Sequence, residues 1–220
     1  MADIIAGDDA VYSAGPSLLA ATAATGSIVL HWYDLTCPFC YLGQVRTQFL
    51  QDHGLTVVEL PFQAHPDVPR EGIHIGQRVG PMYARIESDA AAQVLPLNWP
   101  PRLPNSRLAL AAAEWVRRKE ASSFERVQPR LFRAHFADGL DIGNLDTVLD
   151  CVGEFVEERA KLQESLANAE AFGWLGESEH LGHQIGVAAT PTWWAHGKTI
   201  QGFAPESDFE SFVRHVQAGR

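Results

Sequence analysis

Hydrophobic and polar positions change period several times along the chain, and each change marks an element. Residues 27–36 read SIVLHWYDLT, a run dense in branched and aromatic side chains that predicts a buried strand. The next stretch, CPFCYLGQVRTQFLQDHG, switches to helical spacing. Tyr41, Leu42, Val45, Phe49 and Leu50 recur at three- and four-residue intervals, and Gly54 follows as a C-cap. Residues 55–65, LTVVELPFQAH, read as a second strand. PDVPREGIHIGQRVGP then reads as a loop, and residues 82–186 as mostly helical, with NWPPRLP separating two helical parts. Within that block, SSFERVQPRLFRAHFADG puts Phe124, Val127, Leu131, Phe132 and Phe136 on one face, with Pro129 as an interruption. AKLQESLANAEAFGWLGESEHLGHQIG reads as one long helix kinked near Gly173 or Gly176 and ended by Gly186. The last forty residues predict two short strands joined by an HGK turn. A closing amphipathic helix starts at Pro205 and turns Phe209, Phe212, Val213 and Val216 to the core.

The order is therefore β-α-β, a helical block of roughly a hundred residues, then β-β-α. The final hairpin and helix complete a sheet that the first strands began, so the helical block is an insertion within an α/β sheet domain. The divisions are an N-terminal extension over 1–26, a first sheet part over 27–76, the helical insertion over 77–186, and a second sheet part over 187–220. The extension is expected to be mobile and partly helical.

Bulk properties narrow the function classes. The chain has 220 residues, with 46% hydrophobic and 20% charged content, ordinary for a globular protein. A formal net charge of −10 argues against nucleic acid and anionic membrane surfaces, which need clustered Lys and Arg. No apolar run approaches the ~20 residues a spanning helix requires. The N-terminal stretch is acidic where an export signal is basic. Three cysteines do not make a secreted disulfide scaffold, so the expected location is cytoplasmic.

Two of those cysteines lie in DLTCPFCYLG. Cys37 falls at a strand-to-helix junction with Pro38 at the first helical position, where the missing N–H costs nothing. Orphan N–H groups and the helix dipole at that end favour a thiolate. Cys40 is one turn further on and close enough to form a small disulfide ring. A redox pair thus has Cys37 as nucleophile and Cys40 as resolving thiol. A zinc site needs four ligands. Cys151 lies in an apolar helix, and nothing couples His180 and His183 of HLGH to Cys37, so no metal is expected. An inert pair would leave the proline and the junction unexplained.

The second signal is VAATPTWW. Thr190–Pro191 precedes a strand, and X-Pro is where cis peptides occur. Together, DLTCPFCYLG, FQAHPDVPREG, NSRLALAAAEWV, LFRAHFADGLDIGNLDTVL and GVAATPTWWAHGKTIQGFAP resemble, in order, the DsbA family of thiol-disulfide oxidoreductases, closest to its FrnE-like branch. The resemblance runs from about Ile28 to Val216. It implies a thioredoxin fold interrupted by a helical insertion and a cis Pro191 facing the cysteine pair. It also implies that the Thr190 backbone pairs with a bound peptide or thiol partner like an added strand. No bound cofactor is implied; the substrate is a protein or small-molecule thiol or disulfide, with glutathione as a candidate co-substrate.

DsbA itself carries a histidine between its cysteines. Here the pair is Pro38–Phe39, without a cation, so a less oxidising couple is expected. No cysteine follows Cys151, so a second C-terminal pair of the kind found in some FrnE-like proteins is missing. Related 2-hydroxychromene-2-carboxylate isomerases and kappa-class glutathione transferases bind glutathione and typically use a serine near the first position. A glutathione-dependent isomerase or transferase acting on a small aromatic molecule is the alternative enzyme reading. A non-catalytic binding module is a third.

Other residues have narrower expectations. Asp34 either takes the proton of the resolving cysteine or caps the turn after the strand. His31 reads as a satisfied core or edge histidine and Cys151 as a small core hydrophobe. By alternation, one of Trp193 and Trp194 points to the core and the other lines a substrate groove. Phe39 is expected beside Cys37, exposed to a partner. The sequence sets no oligomeric state.

Overall fold

In the computed structural model, which describes residues 8–219, strand β1 (Ile28–Tyr33) is buried along its whole length. A strand covered on both faces has no need to alternate polar and apolar positions. β1 lies at the centre of a sheet of order β2-β1-β5-β6. It pairs in parallel with β2 (Thr56–Pro61), opposite Val29↔Val57, and antiparallel with β5 (Thr192–Ala195), opposite His31↔Trp193. β5 forms the hairpin with β6 (Lys198–Gln201), through His196 and Gly197 at positive φ. The parallel pair needs a crossover, and α3 (Pro38–Asp52) supplies it. One sheet face, with Val29, Val57 and Trp193, packs on α3 and on Phe209, Phe212 and Val216 of α10 (Glu206–Ala218).

The other face, with Leu30, Trp32, Val58 and Leu60, is covered by the chain's start and by α9 (Glu170–Ile185). Here the expectation of a mobile extension is corrected. Helices α1 (Asp8–Ser13) and α2 (Pro16–Ala23) are docked, with Leu19 and Ala23 fully buried against the sheet. The small side chains of SLLAATAAT carry only a mild apolar signal, yet Leu19 and Ala23 among them reach the core. Residues 1–7 of that extension lie outside the described residues.

Between β2 and β5 come α4 (Pro81–Ala92), α5 (Arg107–Lys119), α6 (Ala121–Phe136), α7 (Leu145–Gly153), α8 (Arg159–Ala167) and α9. α5 through α9 share one core with Tyr33, Leu35, Cys40 and Tyr41, so the helical block and the cysteine segment are packed together. Three expectations change here. α6 continues through Pro129, because Val127, Leu131 and Phe132 hold both halves in the core while Pro129 borders a polar cavity of about 240 Å³. The long C-terminal helix breaks between α8 and α9, with Ala169 at φ 67°, and runs on through Gly173 and Gly176. Asn168 Oδ1 accepts from Glu170 N (2.9 Å), a local bond that competes with helix continuation. Finally, the loop and the NWPPRLP separator meet as a small antiparallel ribbon, β3 (Ile73–His74) on β4 (Arg102–Leu103). Two-residue strands leave too short a period to be read.

Candidate active site

Cys37 is the N-cap residue of α3, at φ −84° and ψ 115°, with Pro38 in the first turn. Its carbonyl accepts from Cys40 N (3.0 Å) and Tyr41 N (3.2 Å), so the first turn of the helix closes directly on this residue. The side chain is half-buried, and its thiol donates to the Thr190 carbonyl at 3.3 Å. Cys40 points inward and is 1% exposed. Its sulfur accepts from Asp34 N at 3.5 Å. Both cysteines are free thiols.

Hydrogen bonding and burial drive the acidities of the two thiols apart. The hydrogen bond from Cys40 lowers the Cys37 pKa, helped by the Thr190 side chain and the Cys40 backbone and opposed by burial and by the Asp34 charge. Burial pushes the Cys40 thiol well up, and the neighbouring Cys37 pushes it further. Cys37 is therefore the more acidic of the two thiols and the one that gives up its proton first. That division is what a nucleophile and a resolving thiol require.

Thr190–Pro191 is a cis peptide and brings its loop against α3. Two bonds fix the loop: Thr192 Oγ1 donates to the Ala189 carbonyl (2.7 Å), and Gly202 N to the Pro191 carbonyl (2.7 Å). α3 meets it at Gly43. A Cβ there would lie 3.3 Å from the Trp193 ring and 3.7 Å from Pro191 Cγ, so a larger residue would have to push the ring or the helix back by a few tenths of an ångström.

Asp34 is fully buried and fully engaged. Oδ1 accepts from Thr36 N and from the Thr36 hydroxyl, both at 2.9 Å, and Oδ2 from Ala64 N at 2.7 Å. It ties the turn before Cys37 to the segment after β2. Of its two sequence readings, this geometry matches the turn-holding one.

Phe39 is half-buried on the wall of the opening beside Cys37, and its ring stacks on Phe203 with centroids 6.5 Å apart. Trp193 is the core tryptophan, stacked on His31 at 4.4 Å. Trp194 does not line the groove: it packs on the cluster that includes Leu19 and Val187, beneath the docked N-terminal helices. His31 is buried and bonded through Nδ1 to Glu59 (2.9 Å), and Cys151 lies in the helical core. Among the described residues, no group of three or more His, Cys, Asp or Glu side chains could hold a metal ion.

What the sequence did not announce is a cavity of about 420 Å³ opening beside Cys37. Its walls include Phe39, Tyr83, Trp99 and Phe136, with Arg78 and His135 among the polar lining residues. These come from the start of α3, the β3–β4 ribbon region, α4 and the end of α6, segments far apart in the chain. No local spacing links them; the adjacent Arg78 and Trp99 contact forms only when the ribbon closes.

Comparison with known proteins follows the same outline. The family profile of the DSBA-like thioredoxin domain matches residues 28–214. No curated protein sequence matches. Among solved structures, a probable DsbA oxidoreductase of Streptomyces coelicolor is similar, with a TM-score of 0.75, 19% identity, and coverage of 88% of this chain and 91% of that one. A 2-hydroxychromene-2-carboxylate isomerase gives a TM-score of 0.69 at 23% identity, covering 86% and 96%. The cytosolic disulfide reductase DsbM of Pseudomonas aeruginosa, solved with GSH, gives 0.60 at 17%, covering 87% and 99%. At these identities the structural likeness concerns the fold.

Proposed function

The chain belongs to the DsbA-like thioredoxin-domain family, and from that premise we propose that it is a thiol-disulfide oxidoreductase whose working pair is Cys37 and Cys40. The observation that carries this is the division of labour between the two sulfurs. Cys37 is half-buried at a helix N-terminus with its pKa lowered, and Cys40 is sealed beneath it with its pKa raised. The Cys37 thiolate attacks a substrate disulfide, forming a mixed disulfide and releasing one substrate thiolate. Cys40, once deprotonated, attacks Cys37 Sγ and releases the second, leaving the Cys37–Cys40 disulfide. The reverse sequence oxidises a substrate dithiol. Thr190 and Pro191 hold the partner beside Cys37, Pro38 and Phe39 shape the first turn, and Asp34 holds the turn before it.

The reading includes a cytoplasmic site of action, no bound cofactor, and glutathione as a co-substrate. Cys151 buried in the core and no further cysteines support a chain without structural disulfides. Among the described residues, no helix is long and apolar enough to cross a membrane. The test is to equilibrate the protein in glutathione buffers and trap free thiols. A reversible two-electron transition is expected that vanishes in Cys40→Ser, with a midpoint more negative than the about −120 mV of DsbA, since Pro38–Phe39 places no cation beside the thiolate. A midpoint as oxidising as DsbA's would refute the second part; no reversible transition would refute the first.

The walled cavity beside Cys37 favours one other reading, a glutathione-dependent isomerase acting on a small aromatic molecule. Glutathione-dependent turnover of such a molecule, surviving Cys40→Ser, would select it.

A further inference from the structure

The cavity beside Cys37 combines an aromatic lining with one unpaired cation. Arg78 lies on its wall with the guanidinium carbon 4.9 Å from the centre of the Trp99 ring, and Nη1 donates to the Pro100 carbonyl at 2.6 Å. It forms no ion pair with any described carboxylate, although Asp and Glu outnumber Lys and Arg by 27 to 17 in this chain. Withdrawal from water already lowers its pKa. An arginine partly desolvated without a counter-charge is costly unless something anionic completes it. His135, on the same wall, is buried and its Nδ1 has no hydrogen-bond partner. Burial, with the Arg78 charge adding to it, lowers its pKa to about 3, so the imidazole stays neutral and adds no second charge beside Arg78. Around these two polar groups stand the rings of Tyr83, Trp99 and Phe136, in edge-on contacts suited to a flat guest. The volume of about 420 Å³ is that of a small-molecule site.

We propose that this cavity binds a small aromatic thiol, or its disulfide, carrying a carboxylate, with Arg78 taking the carboxylate, His135 completing the polar end and Cys37 meeting the sulfur. The inference rests on the oxidoreductase reading above and names its substrate class. With an aromatic disulfide ArS–SAr, the Cys37 thiolate forms Cys37–S–S–Ar and releases ArS⁻. Cys40 then displaces the second ArS⁻. The protein dithiol is oxidised to the Cys37–Cys40 disulfide and the substrate is reduced to two thiols, in one turnover, with the protein's own pair as reductant.

The experiment compares three probes on the reduced protein by stopped flow at physiological ionic strength: dithiobis(nitrobenzoate), which is aromatic and carboxylated; dithiodipyridine, aromatic and uncharged; and glutathione disulfide, carboxylated without a ring. Arg78→Met is expected to slow the first by about ten- to hundredfold, the value of a charge-assisted hydrogen bond, and to leave the second unchanged. Arg78→Lys keeps the charge and guards against a variant that fails to fold; it is expected to fall between. Arg214→Met, which removes the same charge from α10, is expected to have no effect. Equal slowing with both aromatic probes would mean that Arg78 acts on Cys37 itself and would overturn the proposal, as would no slowing with either. Selective loss with glutathione disulfide alone would move the anion site to a peptide thiol and overturn the aromatic assignment. Failure of the wild-type protein to react with dithiodipyridine would instead strike the oxidoreductase reading, and this inference with it.

Discussion

At the scale of single residues, the site is governed by where protons rest. Because the bond from Cys40 is the main influence lowering the Cys37 pKa, Cys40→Ala raises it. The rate of Cys37 alkylation by iodoacetamide against pH is expected to titrate below the ordinary thiol value of about 8.5 in the wild type and to move upward in the variant. An unmoved midpoint would mean that the helix end alone sets the thiolate. His135 has the opposite lesson for stability. Its folded pKa is depressed to about 3, below the ordinary 6.5, so its contribution is fully present above about pH 6.5 and is lost as pH falls towards 3. Each pH unit in that window costs up to about 1.4 kcal/mol. His135→Leu is expected to reduce the difference between the urea midpoints at pH 7 and pH 5; an unchanged difference would place the acid sensitivity elsewhere.

At the scale of elements, the reactive end of α3 depends on how closely the helix lies against β5. Gly43→Val puts a side chain where Trp193 and Pro191 already stand, and overpacking of this kind costs about 1–3 kcal/mol. The expected result is a lower urea midpoint together with slower Cys37 alkylation; lost stability with unaltered alkylation would show that the helix end and its packing are uncoupled. This is also the scale at which the sequence was most informative. β1, α3, β2, the terminal hairpin and α10 announce themselves because each has a sustained period or a strong cap, and the cysteine pair lies at a junction of two such periods. The break at Ala169 was hidden because one asparagine side chain competes with a helix whose composition otherwise continues. The cavity was illegible for a different reason. Arg78, Trp99 and His135 belong to three segments, and a two-residue ribbon that brings the first two together has no periodicity.

At the scale of the whole molecule, the N-terminal helices are locked on by a buried cation. Arg117 is 0% exposed, pairs with Glu114 at 2.6 Å, and donates to the Tyr12 carbonyl and, at 3.1 Å, to that of Ala14. Arg117→Met leaves those carbonyls without this donor and Glu114 with Arg118 as its remaining partner. A loss of about 3–5 kcal/mol is expected, with new proteolytic cleavage within residues 8–26; a variant as stable and as protease-resistant as the wild type would show that apolar packing alone holds these helices. The same scale reveals what the shared core around Tyr33, Leu35, Cys40 and Tyr41 does mechanically. Helices and sheet are fused at the thiols, so the two halves cannot swing apart there as jaws. α4, by contrast, buries only Ile86 and Ala90. Packing is thus dense beneath Cys37 and Cys40 and sparse in the wall that α4 contributes to the adjoining cavity. On the proposed oxidoreductase reading, changes between residues 73 and 99 are expected to retune which molecules the cavity accepts while leaving the packing beneath the two thiols intact.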